Sequence, residues 1–263
     1  MLKRLFSHPL LRGLDLDDPK TTKLRRDVIL SNPFLAQIYA EWYARLKASF
    51  PPGPGKVLEL GSGPGFLKSY IPELITSETF YVDDLKIILD GQHLPFFEGA
   101  LKGILMTNVL HHIPSPSKFF NEAARVIKPS GVISMIEPWN TPWSRMVYKH
   151  LHHEPFDPNS SQWQIPGGGP LTGANGALPW IIFCRDRHKF EQDFPAWRVE
   201  KITPFMPVAY LISGGVSMRP LMPGWSYPIV HQFERVLSPL NPRIAMFSHI
   251  LLVRTPPHGP VLE

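Results

Sequence analysis

A single cysteine, Cys184, stands in a chain of 263 residues. That excludes an internal disulfide framework and fits a reducing compartment. No apolar run approaches the ~18 residues that a membrane-crossing helix requires. Met1 to Pro9 opens on basic residues without the sustained apolar stretch of a signal peptide, so cytoplasm is the expected compartment. There is no internal repeat. Charge of one sign is scarce too: 27 Lys and Arg against 22 Asp and Glu leave a net +5. With no long basic stripe and no aromatic platform beside it, nucleic acid is not an expected partner. A hydrophobic fraction of 43% with 19% charged residues is that of an ordinary globular chain, long enough to bury a large core.

What is abundant is proline, 30 residues in all, and many of them punctuate the second half, where long regular elements become scarce. Residues 1–55 read as a helical lead-in. Ile29, Phe34, Leu35, Ile38, Tyr39, Trp42, Tyr43 and Leu46 recur at helical spacing and form one apolar stripe. Lys20, Lys23, Arg25 and Arg26 cluster in the same region; a solvated helix face is the plain reading, and attraction to an anionic substrate or lipid surface the sharper one. Pro51-Pro52-Gly53-Pro54-Gly55 ends the lead-in. Residues 56–138 alternate short apolar runs with helical patterns, as β-α-β units around a parallel sheet do. Strands are expected at 56–60, 74–77, 86–89, 104–107 and 132–137, with helices beginning at 64–70 and covering 117–127. Residues 139–184 are rich in Gly, Pro, Trp and His, without clear periodicity, and read as an ordered insertion over a site. Residues 185–255 return to helix and a final strand near 245–254; 256–263 form a loose tail.

The strand Val57-Leu58-Glu59-Leu60 runs straight into Gly61-Ser62-Gly63-Pro64-Gly65. Glycines permit a sharp strand-to-helix turn and close approach of a ligand, while unpaired N–H groups at the turn suit an anionic group. A dinucleotide fingerprint needs its third glycine at position 66, where Phe66 stands, so the spacing favours a nucleoside–amino-acid cofactor. Asp90-Gly91-Gln92-His93-Leu94-Pro95-Phe96 follows the apolar run Ile87-Ile88-Leu89, which puts Asp90 at a strand's C-terminal end, where open parallel sheets bind ligands. A carboxylate there accepts from an exocyclic amine. Met106-Thr107-Asn108-Val109-Leu110-His111-His112 follows the fourth strand, and Lys128-Pro129-Ser130-Gly131 precedes the fifth.

This series of motifs resembles the class I S-adenosylmethionine-dependent methyltransferases, in particular the type 11 methyltransferase domain, over about residues 56–138. The resemblance implies a Rossmann-like α/β fold: a mostly parallel seven-stranded sheet with helices on both faces, here with an N-terminal helical lead-in and an insertion after the fifth strand. It implies S-adenosylmethionine as cofactor. Glu59, Gly61, Ser62, Gly63 and Gly65 would then surround the methionine portion, Asp90, Gly91 and Gln92 would hold the adenine, and Asn108 through His111 would line the methyl-donor cleft. In that family an acidic residue ending the second strand binds the ribose. Asp83 and Asp84 leave too little chain before the third strand, so Glu78 is the expected residue, at the cost of a very short or missing helix in that crossover. Leu101-Lys102 stands where the family commonly has Phe-Asp, a position remote from the cofactor.

Methyl transfer gains most from positioning, and an oxygen acceptor gains further from a general base. His111 and His153, with Glu154 beside the latter, are the candidate catalytic residues; His112 reads as a turn histidine. His150, His152, His153, Glu154 and Asp157 match no standard zinc spacing, so no metal is expected. Trp139, Trp143, Trp163 and Trp180 either wall an acceptor pocket or finish cores. The apolar run 205–212 shapes a lipid-like groove or packs on the sheet. The expected function is transfer of a methyl group to a small-molecule acceptor, at the oxygen of an apolar, lipid-linked or sugar-type substrate, with weak membrane-surface association as an accompaniment. A non-catalytic methyltransferase-like partner protein is the competing class, and a nicotinamide oxidoreductase is disfavoured by the glycine spacing.

Overall fold

The structure, a computed structural model, describes residues 8, 14, 17–63, 66–82, 85–152, 154–165, 167–169 and 172–256. Its centre is one seven-stranded sheet: β1 (Lys56–Leu60), β2 (Ile75–Glu78), β3 (Ile87–Ile88), β4 (Leu101–Thr107), β5 (Ile127–Pro138), β6 (Trp197–Phe205) and β7 (Phe247–Arg254). Their spatial order is β3-β2-β1-β4-β5-β7-β6. β1 to β5 run parallel, while β7 inserts antiparallel between β5 and β6. Strand order reverses at β1/β4, and such a switch point opens a crevice at the strands' C-terminal ends.

Two helices precede the sheet. In α1 (Pro19–Ser31) the Asp18 carboxylate caps the first turn by accepting from Lys20 N at 2.8 Å. Asn32 breaks the chain and caps α2 (Pro33–Ala48), accepting from Leu35 N at 3.2 Å. The apolar stripe of α2 is buried along its whole length, and Trp42 is wholly enclosed. It packs with Val57, Leu105, Ile136 and Phe247 on one face of the sheet. The other face carries Leu58, Ile104, Met106, Ile133 and Met135. These meet Phe119, Phe120 and Ala123 of α3 (Pro116–Val126) and Phe190 of a later helix, α5 (Arg187–Asp193). The alternation along β1 and β4 is the period of two that gives each face its own set of side chains.

Two sequence expectations need correction. Among the described residues, the stretch after the glycine loop yields a single 3-10 turn, Leu67–Ser69, rather than a helix. Pro72 disfavours helical backbone at Ile71, and the chain must enter β2 a few residues later, so a longer helix has no room. Residues 139–184 are more regular than expected: they contain α4 (Pro142–Leu151). A reciprocal capping box starts it, with Thr141 Oγ1 accepting from Ser144 N and Ser144 Oγ accepting from Thr141 N. Between β2 and β3 no helix occurs among the described residues, as the short spacing required; Asp83 and Asp84 lie outside them.

Candidate active site

The crevice is built where β1, β2 and β4 end. Gly61 takes φ 65° and Gly63 φ 49°. A Cβ on Gly61 would sit 2.5 Å from Val109 Cγ2, so only glycine lets the loop pass the segment that follows β4. Ser62 fastens the loop to β2: its N–H donates to Ser77 O at 2.8 Å, and its hydroxyl accepts from Ser77 N at 3.0 Å. Gly63 N donates to Glu78 Oε1 at 2.5 Å, and Glu78 Oε2 accepts from Thr79 N at 3.3 Å. Burial raises the Glu78 carboxyl above the ordinary carboxylate range, against the pull of those two N–H groups and of Arg25. Glu59 is 4% exposed. Burial pushes its carboxyl up to about 8, opposed by the Ser62 hydroxyl and assisted by the Glu78 charge. Glu59 Oε2 has no hydrogen-bond partner among the described residues.

Asp90, Gly91 and Gln92 form a tight turn after β3. Asp90 Oδ1 accepts from Gln92 N at 2.9 Å, and the Gln92 side-chain amide donates to both carboxylate oxygens. Leu89 N donates to Glu78 O at 2.9 Å, tying this turn to the end of β2. Gly91 lies against Leu60, where a Cβ would come within 2.8 Å of Cδ2. At the end of β4, Asn108 adopts φ 57° while its N–H donates to Ile136 O at 2.8 Å. Its Oδ1, like the Thr107 hydroxyl, is buried without a hydrogen-bond partner among the described residues. Gly65 and His153 lie outside the described residues.

Beyond Asn108 a second polar group gathers around the 3-10 turn Leu110–His112. Glu137, at the end of β5, is wholly buried. Its Oε1 accepts from Val109 N and Leu110 N, each at 2.8 Å, and its Oε2 lies 2.6 Å from His111 Nδ1. On the far side His111 Nε2 is 3.4 Å from Glu154 Oε2, and His112 Nε2 is 3.8 Å from Glu154 Oε1. His112 Nδ1 stands 3.1 Å from Gly173 O. Burial acts to lower the His111 imidazole, but the charge and hydrogen bond of Glu137, with those of Glu154, outweigh it and lift the group to about 9. Burial and then the His111 charge push His112 down to about 3.

These groups border a cavity of about 170 Å³, lined among others by Asn108, His111, Glu154, Tyr148, Tyr210 and Arg25. The Arg25 side chain turns inward from α1, its Nε buried and without a hydrogen-bond partner among the described residues. The basic cluster is thus divided: Lys20, Lys23 and Arg26 line a separate, open cleft beside Gly63, whereas Arg25 faces the cavity. None of the four tryptophans lines the cavity. Trp139 and Trp163 sit in the core, and Trp143 donates to Pro207 O at 2.8 Å.

The structure thus brings Glu59, Gly61, Ser62, Gly63 and Glu78 into one cluster, and His111 and Glu154 into another. Sequence reasoning passed over Glu137 as a site residue, and it read Arg25 only as part of a basic cluster and Tyr210 only as part of the apolar run 205–212. For Glu137 a signal existed, an acidic residue closing the apolar run Val132-Ile133-Ser134-Met135-Ile136. The orphaned atoms Glu59 Oε2 and Asn108 Oδ1, beside a loop that excludes side chains at Gly61, fit a cofactor with a cationic amino acid moiety and polar edges.

Comparison with known proteins finds relatives of the chain's middle part and of its fold. The family model of the methyltransferase domain, type 11, matches residues 58–135. Methyltransferases of Mycobacterium sp. resemble the chain in sequence. That of strain KMS is 28% identical over 117 residues, 39% of this chain and 46% of that protein; that of strain JLS is 27% identical over the same length. The chain spans about half the length of the curated relatives it matches. Among solved structures, a chain of the complex between a Haloferax volcanii methyltransferase activator and a methyltransferase superposes with a TM-score of 0.51. It is 13% identical, with 89% of this chain and 99% of that chain covered. Geranyl diphosphate C-methyltransferase from Streptomyces coelicolor A3(2) gives 0.50 at 12% identity, over 95% and 89% of the two chains. At such identities these two superpositions speak for the fold. Sequence match, strand order and glycine loop together make residues 58–135 a class I S-adenosylmethionine-dependent methyltransferase domain.

Proposed function

We propose that this protein transfers a methyl group from S-adenosylmethionine to a hydroxyl oxygen of a small-molecule acceptor held in the cavity beside Asn108. The observation that carries the reading is the array Glu137–His111–Glu154, buried at the edge of that cavity and adjoining the end of β4. When bound, S-adenosylmethionine would supply an electrophilic methyl group on a sulfonium, with the sulfur as the leaving group that keeps the bonding electron pair. The chain's own groups serve the acceptor. Glu137 fixes the His111 ring through Nδ1, and His111 in turn faces Glu154. Glu154, which borders the cavity, takes the hydroxyl proton as the new C–O bond forms, so no charge is left on the product oxygen. Tyr148 and Tyr210 close the cavity and limit water. On the cofactor side, the Glu59 carboxylate would balance a cationic amino group, Glu78 would hold vicinal hydroxyls, and Asp90 with Gln92 would meet a purine edge.

Calorimetry with S-adenosylmethionine on the full chain tests this. Saturable heat in the micromolar range is expected, and no heat at high micromolar cofactor would sink the reading in favour of a non-catalytic partner protein. Gly63→Ala should abolish that heat. A Cβ at Gly63 meets nothing closer than 3.9 Å among the described residues, so the fold survives with backbone strain of about 1–2 kcal/mol while the added methyl group blocks the cofactor's approach.

A further inference from the structure

The two histidines beside the cavity are held in the same way. His111 Nδ1 is fixed by Glu137 Oε2 at 2.6 Å, and His112 Nδ1 by the Gly173 carbonyl at 3.1 Å. An imidazole anchored through Nδ1–H to an oxygen presents Nε2 as its donor atom, the arrangement found behind metal-bound histidines. Both Nε2 atoms face one carboxylate, at 3.4 Å from Glu154 Oε2 and 3.8 Å from Glu154 Oε1. Charge-assisted N–H···O bonds run about 2.7–2.9 Å, so both distances are longer than the usual length of such a bond. They come close to a different geometry. Ligand bonds of about 2.0–2.1 Å around a tetrahedral ion set neighbouring donor atoms about 3.3 Å apart. One donor atom from each of His111, His112 and Glu154 lies within 4.8 Å of the others.

We propose that His111, His112 and Glu154 bind one divalent cation of the zinc class, with Glu137 and the Gly173 carbonyl orienting the imidazoles from behind. Two imidazoles and one carboxylate are a donor set for borderline ions rather than for magnesium or calcium, which prefer all-oxygen shells. Three protein ligands leave a fourth position open, as catalytic rather than structural zinc sites do. Here that position faces the cavity, where an oxygen donor such as an alcohol or phenol would coordinate. The site is hidden in the sequence because its ligands come from two distant segments. The His111-His112 pair follows β4, and Glu154 follows α4. The inference rests on this geometry and is independent of whether the chain binds S-adenosylmethionine.

The test is a titration of chelator-treated full-length protein with Zn2+ and with Co2+. One ion per chain is expected, at a dissociation constant of micromolar or below. Cobalt should show the intense visible absorption of a four-coordinate nitrogen and oxygen site. Glu154→Gln keeps the side chain's volume at a position open to the cavity and should weaken zinc at least tenfold. Glu137→Gln, which touches no ion, should weaken it about 10–100-fold by freeing the His111 ring. S-adenosylmethionine affinity, measured on the same two variants, should stay at the wild-type value. Absence of stoichiometric binding by the wild-type chain, or zinc affinity unchanged in both variants, overturns the proposal. Zinc binding without cofactor binding would leave the metal site standing and remove only the methyl-transfer reading.

Discussion

Glu59 sits on the α2 side of β1 with one carboxylate oxygen unpartnered among the described residues, and burial lifts it to about 8. Unfolded, the same group titrates near 4.5. Between those values the folded chain holds a proton that the unfolded chain has released. Its contribution to stability is therefore fully present below about pH 4.5 and is lost as pH rises through 8. Each pKa unit is worth about 1.4 kcal/mol, so the change amounts to a few kcal/mol. Urea midpoints of wild type and Glu59→Gln, taken from pH 5 to 8, should diverge, with the wild type losing ground as pH rises and the amide variant holding level. Saturating cofactor should narrow the gap at pH 8, because a cationic partner offsets the buried carboxylate. A gap independent of pH would mean that Glu59 ionises normally. At this scale much was legible in the sequence. An acidic residue at Glu59 or Glu78, set where an apolar strand stops, has few structural uses, and a glycine at position 61 announces a backbone that no side chain can share. Glu137 obeys the same logic at the end of β5 but went unread, because nothing in the chain around it hints that its partner is His111.

Elements are joined by polar pins that no periodicity reveals. His249 on β7 places Nε2 at 2.9 Å from Ser134 Oγ on β5 and 3.2 Å from Ser49 Oγ just after α2. Burial, then the charges of Arg45 and Lys201, push its pKa down to about 4. The folded chain therefore refuses a proton that the unfolded chain takes up near 6.5. Stability from this group is present above that value and lost as pH falls toward 4, the reverse of Glu59. The loss reaches as much as about 3 kcal/mol for a group this enclosed. His249→Gln should cost some stability at pH 7 yet flatten the acid limb, so its urea midpoint changes less than that of the wild type between pH 7 and 5. Equal acid sensitivity in both proteins would assign that limb to other groups. The period of 3.6 in α2 and the period of two in β1, β4 and β5 are strong signals because one face of each must be apolar. The helix expected after the glycine loop failed because its residues, bounded by Phe66 and Pro72, have the composition of a helix start but not the length. α4 was hidden for the opposite reason. Its Trp, His and Pro content resembles a loop, and only the Thr141/Ser144 box betrays a helix beginning.

On the scale of the whole molecule, the cavity lies where three parts of the chain meet: Arg25 from the lead-in, Glu154 from the segment after α4, and Tyr210 from the C-terminal part. Fold class was readable because the strand pattern and the glycine loop are local. This convergence was not, since no local rule says which distant segments close over which strand end. One clasp between two of these parts is exposed. Asp17, before α1, accepts from the Thr172 hydroxyl at 2.7 Å and from Thr172 N at 3.3 Å, and Gly169 N donates to the same hydroxyl at 2.8 Å. The next residue, Gly173, supplies the carbonyl that holds His112. Losing an exposed hydrogen bond costs about 1 kcal/mol or less, too little to unfold a domain of this size. Thr172→Val removes both hydroxyl bonds while keeping the side chain's shape. It should leave the urea midpoint within a small margin of wild type and leave S-adenosylmethionine affinity unchanged, because the glycine loop is pinned separately through Ser62 and Ser77. Amide exchange at Gly169 and over 172–176 should nevertheless quicken several-fold as this contact loosens, and at His112 with it. Exchange in that segment at the wild-type rate would show that it is held by its other contacts and that the clasp does not transmit to the cavity.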